Sequence, residues 1–166
     1  SSDLVTNLHS LASSQDWTAG WGSGVISNLS SNEYEDIFIS ASFSTHASNR
    51  QAGEIRVYVI APISLASGSP TWPATSSGTV GTEGALAFTD TEERDSLARI
   101  LCSIVVDNTA SAIYTFPPTG IAQLFGGIVP PYHALYVAQN CSTTTTAGLA
   151  SSGSAIYYTP AYWQYT

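Results

Sequence analysis

The chain has 166 residues, a length that fits one domain and buries roughly 70% of its unfolded surface without a metal or disulfide staple. Charged residues make up only 10%, all four cations are arginine (Arg50, Arg56, Arg94, Arg99), and the net charge is -8. Phosphate contacts need clustered Lys and Arg, so nucleic acid is excluded as a partner; no apolar run approaches the ~20 residues of a membrane-spanning helix, so no membrane partner is expected.

The first residues, "SSDLVTNLHSLASSQDW", carry no cationic region followed by an apolar one, so no signal peptide is expected. Residues 1–16 read as an N-terminal arm ahead of a single domain over 17–166. "WGSGVIS" is an early strand. In "DIFISASFSTH", Ile37, Ile39, Ala41 and Phe43 face one way and Phe38, Ser40, Ser42 and Ser44 the other, the period-two signature of a half-buried strand. In "GEIRVYVIAPI", Ile55, Val57 and Val59 alternate with Arg56, Tyr58 and Ile60. From Ala66 to Thr91 the chain is rich in Ser, Gly, Pro and Thr and reads as one long irregular loop, anchored by Trp72 between prolines. "DTEERDSLARI" opens as a short helical turn and runs into "ARILCSIVVD", whose continuous apolar character suits either a central strand covered on both faces or a tight oligomer contact. "SAIYTF" follows, ended by Pro117 and Pro118, which cannot donate to a ladder. A helical turn "IAQLFGG" is stopped by Gly126 and Gly127, and Pro130-Pro131 holds the chain extended before "HALYVAQN". "SAIYYTPAYWQY" is the last strand. No long segment has helical period, so the pattern predicts an all-β, two-sheet antiparallel sandwich in a jelly-roll arrangement, with at most one or two short helical turns.

Signals of chemistry are sparse. His9, His46 and His133 lie far apart and make no metal-ligand pair; His133, opening a strand, reads as half-buried with a satisfied hydrogen bond. The acidic stretches "NEYED" and "DTEERD" read as solvated loops or as a rim that pairs with a partner's basic residues; the second lacks the glycine and terminal glutamate of an EF-hand. There is no G-x-S-x-G elbow, P-loop or Rossmann glycine pattern. No catalytic residue, cofactor or metal is therefore assigned, and no enzyme is expected. Cys102 and Cys141 fall in separate strands, as free thiols, or as a disulfide if those strands are neighbours in an oxidising compartment. On the last strand Tyr157, Trp163 and Tyr165 share one face and Tyr158 and Tyr162 the other, which fits core or subunit contact, and also a sugar-stacking platform.

The pattern Y-T-F-x-P…I-A-x-L-F-G-G-I-x-P-P-Y-x-A-L-Y-V-x-x-N, followed by a Thr-rich turn and "LASSGSAIYYTPAYWQ", resembles small virion proteins of tailed bacteriophages, similar to the decoration or cement proteins on the outside of the head shell. "YEDIFISASFST", "EIRVYVIAPI" and "TWP" fit the same pattern, over roughly residues 17 to 166. The resemblance implies a non-enzymatic structural protein, made in the cytoplasm of a bacterial host and placed on the outer capsid surface of the virion. The partners it implies are the major capsid protein and copies of the chain itself, as dimer or trimer. It implies an acidic rim at Glu33, Glu35 and Asp36, and an oligomer face at Trp72 and the C-terminal Tyr158, Tyr162, Trp163 and Tyr165. The alternatives are a tail, collar or adaptor component of the virion, or a carbohydrate-binding or host-adhesion sandwich module.

Overall fold

A computed structural model describes residue 9 and residues 12–29, 34–65, 69–142 and 148–161. Four of the expected contact residues, Glu33, Tyr162, Trp163 and Tyr165, lie outside the described residues. In chain order the elements are β1 (Ala19–Gly22), β2 (Ile26–Ser27), β3 (Asp36–Ser44), β4 (Gly53–Ile60), β5 (Gly84–Ala87), α1 (Thr91–Leu97), β6 (Ala98–Val106), β7 (Ile113–Gly120), a 3-10 turn (Ala122–Phe125), β8 (Tyr132–Gln139) and β9 (Ala155–Ala161).

All strand pairs are antiparallel and form two sheets. The six-stranded sheet runs β5-β1-β8-β4-β6, with β2 also pairing β8; the three-stranded sheet runs β7-β3-β9. The fold is an all-β two-sheet sandwich. Among the described residues nine strands divide six and three, and this order does not by itself establish the jelly-roll winding of eight strands in two Greek keys.

The alternation in β3 and β4 builds the space between the sheets. Ile37, Ile39, Phe43, Ile55, Val57 and Val59 are buried there with Leu135, Val137 and Ile156 from β8 and β9. The other face of the large sheet is covered as well. Tyr58, Ile60, Ala134, Tyr136 and Ala138 pack beneath Val80, Leu86 and Phe88, with Trp17, Trp72 and Leu97 partly buried around them. Part of the stretch expected to be an irregular loop therefore supplies this outer cover, through Val80 and Phe88, and another part, β5, joins the edge of the large sheet itself. Its "GALA" is too short and too small-chained for alternation to show.

Two further expectations are corrected. The strand covered on both faces is β8, buried at seven of its eight residues, whereas β6 is the edge of the large sheet, which removes the central-strand alternative for it and leaves the oligomer contact untouched. His133 and Gln139 break the apolar run of β8 and disguise its central place. Pro117 and Pro118 do not end β7; they stand opposite Ser40, between the pairs Ile39–Thr119 and Ala41–Phe116. The ladder shifts there, and on an edge strand the missing donors cost nothing.

The helical turns fall where the sequence places them. The Asp90 side chain accepts from the Glu93 N–H at 2.8 Å, satisfying one of the free donors in the first turn of α1, while the Glu93 carboxylate reaches back to accept from the Thr89 N–H just before the cap. Ala98 is already extended (φ -114, ψ 135), and the helix passes into β6 with no linker. Gly126 ends the 3-10 turn in the left-handed region (φ 74), a conformation a side chain would strain. Bonding to the sandwich begins before residue 17: the Ser14 N–H donates to the Gln139 carbonyl at 2.8 Å, and Arg94 donates to the Asp16 carbonyl.

Candidate interaction surfaces

The acidic stretch and the Pro/Gly crossover meet at one end of the sandwich. Asn28, buried beyond β2, holds them together. Its N–H donates to the Pro131 carbonyl at 2.7 Å, its Nδ2 donates to the Tyr34 carbonyl at 3.1 Å, and its Oδ1 accepts from the Tyr34 N–H at 2.9 Å. Between these segments lies a depression of about 470 Å³ lined by Asn28, Leu29, Tyr34, Glu35, Ile128 and Pro131, among others. Leu29 is 49% exposed and Ile128 is 73% exposed, so the rim presents apolar side chains beside an exposed carboxylate. The sequence flagged both segments and gave no sign that they converge.

Asp36, one residue on, has a different task. Its Oδ1 accepts from the Ile37 N–H at 2.7 Å and from the Ala122 N–H at 3.0 Å, joining the start of β3 to the 3-10 turn. The room for it comes from Gly120: a Cβ there would fall 1.9 Å from Asp36 Oδ2. Asp36→Ala is expected to cost about 1–3 kcal/mol, because it orphans two backbone donors. Glu35→Lys, at an exposed site, is expected to change stability by less than about 0.5 kcal/mol. Denaturant melts of the two variants check this pair, and equal losses would remove the distinction.

Trp72 and Tyr158 turn inward. Trp72 packs at the margin of the outer layer against Gly81, whose φ is +83 and where a Cβ would approach Trp72 Nε1 to 2.8 Å. Tyr158 pairs with Ile39 across the small sheet and leans on the main core. The structure thus leaves Glu35 on an open rim, commits Asp36 to the fold, and seats Trp72 and Tyr158 in two different layers.

The sequence gave no warning of a clustering of cations. Arg56, Arg94 and Arg99 come from three elements and line a second depression of about 360 Å³ with Tyr58 and Asp95. Arg56 pairs with Glu54 at 2.8 Å and lies 3.5 Å over the Trp17 ring. Its hydrogen bond, with one from Ser103, holds the Glu54 carboxyl below the ordinary range. Arg94 is buried and pairs with Asp95 at 2.7 Å. These contacts fasten the segment around Asp16 and Trp17 onto the large sheet.

His133 is fully buried rather than half-buried, and neither ring nitrogen has a regular hydrogen bond among the described residues. Burial pushes its pKa down to about 4, which the nearby Pro130 carbonyl opposes only in part. Cys102 and Cys141 are free thiols, pushed by burial up to about 12 and about 11, so neither is a ready nucleophile. Among the described residues no three His, Cys, Asp or Glu side chains gather as a metal site, and no helix is long and apolar enough to cross a membrane.

No protein family, curated protein or solved structure matches the chain. The functional reading therefore rests on these surfaces and on the resemblance of the sequence pattern.

Proposed function

We propose that the protein is a non-enzymatic structural component of a tailed-phage virion, a decoration protein that binds the outer capsid surface and bridges subunits of the major capsid protein. The observation that carries this reading is the depression between Asn28 and Pro131. Two segments held by one buried asparagine frame it, its rim exposes Leu29 and Ile128, and Glu35 stands beside them. Apolar side chains of that exposure, rimmed by a carboxylate, suit a protein contact in which burial sets residence and charge sets the rate of encounter. Many copies on one shell would turn such modest contacts into strong clamping. A sugar-stacking role finds less support, because Tyr157 alone of the aromatics is exposed among the described residues.

The test adds purified protein to particles that lack it. Wild type is expected to occupy the shell and raise its resistance to heat. Ile128→Lys is expected to shorten residence at least about tenfold, and Glu35→Lys to slow association in a way that fades with salt. No binding of wild type to such shells would defeat the reading.

A further inference from the structure

We infer that β6 is a self-pairing edge, at which two copies of this chain join antiparallel about a two-fold axis at Ser103 and make one continuous sheet. Open strand edges invite pairing, and folded proteins guard them. Among the described residues the other ends of the two strand orders, β5, β7 and β9, each carry a guard. β5 has four residues, and Ser77 closes its open side through two backbone bonds with Ala87, of 3.2 and 2.9 Å. β7 contains Pro117 and Pro118, and β9 contains Pro160. β6 has nine residues, no proline and no lysine, and among the described residues it pairs with β4 alone. On the outer face of this edge Ile100 is 47% exposed and Val105 is 74% exposed.

The occupant is set by how β6 matches itself. Against β4 the strand skips Leu101: Cys102 stands opposite Val57, and Ile100 opposite Tyr58. The same skip in an antiparallel pair centred on Ser103 puts Cys102 opposite the partner's Ile104, and Ile100 opposite the partner's Val105. By symmetry Val105 meets the partner's Ile100. The two exposed apolar side chains thus cover each other twice, on the same face of the sheet. Charge favours this direction as well. With the same skip Arg99 falls opposite the partner's Val106 and Ala98 opposite the partner's Asp107, so antiparallel pairing leaves the unlike charges one position apart at each end of the seam, whereas parallel pairing would set like charges together. Asp107 is held in place by the Tyr114 hydroxyl and by the Thr109 N–H at 2.8 Å, and Arg99 has no ion pair among the described residues.

This inference does not depend on the virion reading, and solution measurements on the full chain test it. Sedimentation velocity over a concentration series is expected to show a monomer–dimer equilibrium for wild type. Val105→Lys should raise its dissociation constant more than about tenfold, with the melting temperature held. Ile128→Lys, on the proposed capsid footprint, should leave it unchanged. Ser103→Cys should give a disulfide-linked dimer under mild oxidation, because facing residues of an antiparallel pair stand about 4.5–5.5 Å apart at Cα. A monomer at every concentration overturns the inference. So does a dimer that survives Val105→Lys and fails to cross-link at position 103.

Discussion

Tyr136→Ala is expected to cost about 4–5 kcal/mol, a large share of the 5–15 kcal/mol by which domains are stable. Tyr136 lies at the centre of the large sheet with its ring fully buried on the outer face. It meets Phe88 edge-on at 5.0 Å between centroids and Tyr58 at 5.6 Å, so truncation opens a cavity lined by two other rings. Its hydroxyl donates to the Trp17 carbonyl at 2.9 Å, and Trp17 is one of two non-glycine residues with positive φ (52) among the described residues. Tyr136→Phe removes only that bond and is expected to cost about 1 kcal/mol. Denaturant midpoints with an unchanged m-value would show that both act on one cooperative unit. A loss under about 2 kcal/mol for the alanine variant would mean that the outer layer comes away independently of the sheet.

The second large effect is on pH. The folded pKa of His133 is pushed by burial down to about 4, against 6.5 in the unfolded chain. Its neutral ring suits the fold, so the contribution is complete above pH 6.5. As pH falls, the unfolded chain takes up a proton that the folded chain refuses, and stability drops by up to about 1.4 kcal/mol per pH unit. The loss sums to about 3 kcal/mol by pH 4, where the folded protein protonates too and the slope from this group ends. His133→Leu should flatten that window. Glu54 and Asp107, whose carboxyls are held low by hydrogen bonds from Arg56 and Tyr114 respectively, act in the usual acidic direction: their contribution is present above the ordinary carboxylate range and fades as pH falls through their lowered values. Melts between pH 7 and 4 check the histidine. An unaltered slope in His133→Leu would assign it elsewhere.

What the sequence revealed followed the strength of local signals. β3 alternates over nine residues because one face meets the core and the other meets water, and both the strand and its buried face could be read directly. The helical turn after Asp90 and the stop at Gly126 were legible because caps and left-handed glycines are local chemistry. Burial on two faces erased alternation in β8, and apolar side chains exposed on an edge strand made β6 look central. Of the candidate site, the segments were visible and their meeting was not. Nothing within "NEYED" announces that Asn28 will bind both backbone groups of Tyr34, or that Asp36 will reach 86 residues along the chain to the Ala122 N–H. The same limit hid the grouping of Arg56, Arg94 and Arg99.

The order of strands in the two sheets also governs how the protein can be made. β4 is flanked by β6 and β8, and β3 by β7 and β9, so the earliest long strands wait for the latest ones. When the ribosome has finished β4, the strand that will lie at the middle of its sheet is still roughly seventy residues away, several seconds at synthesis rates of about 5–20 residues per second. β3 waits longer still, until the chain is nearly complete. During that interval two of the most apolar strands are displayed without their neighbours, and native pairing of distant strands is slow. Production of soluble protein should therefore be governed more by the supply of chaperone, and by growth temperature, than by the final stability of the sandwich.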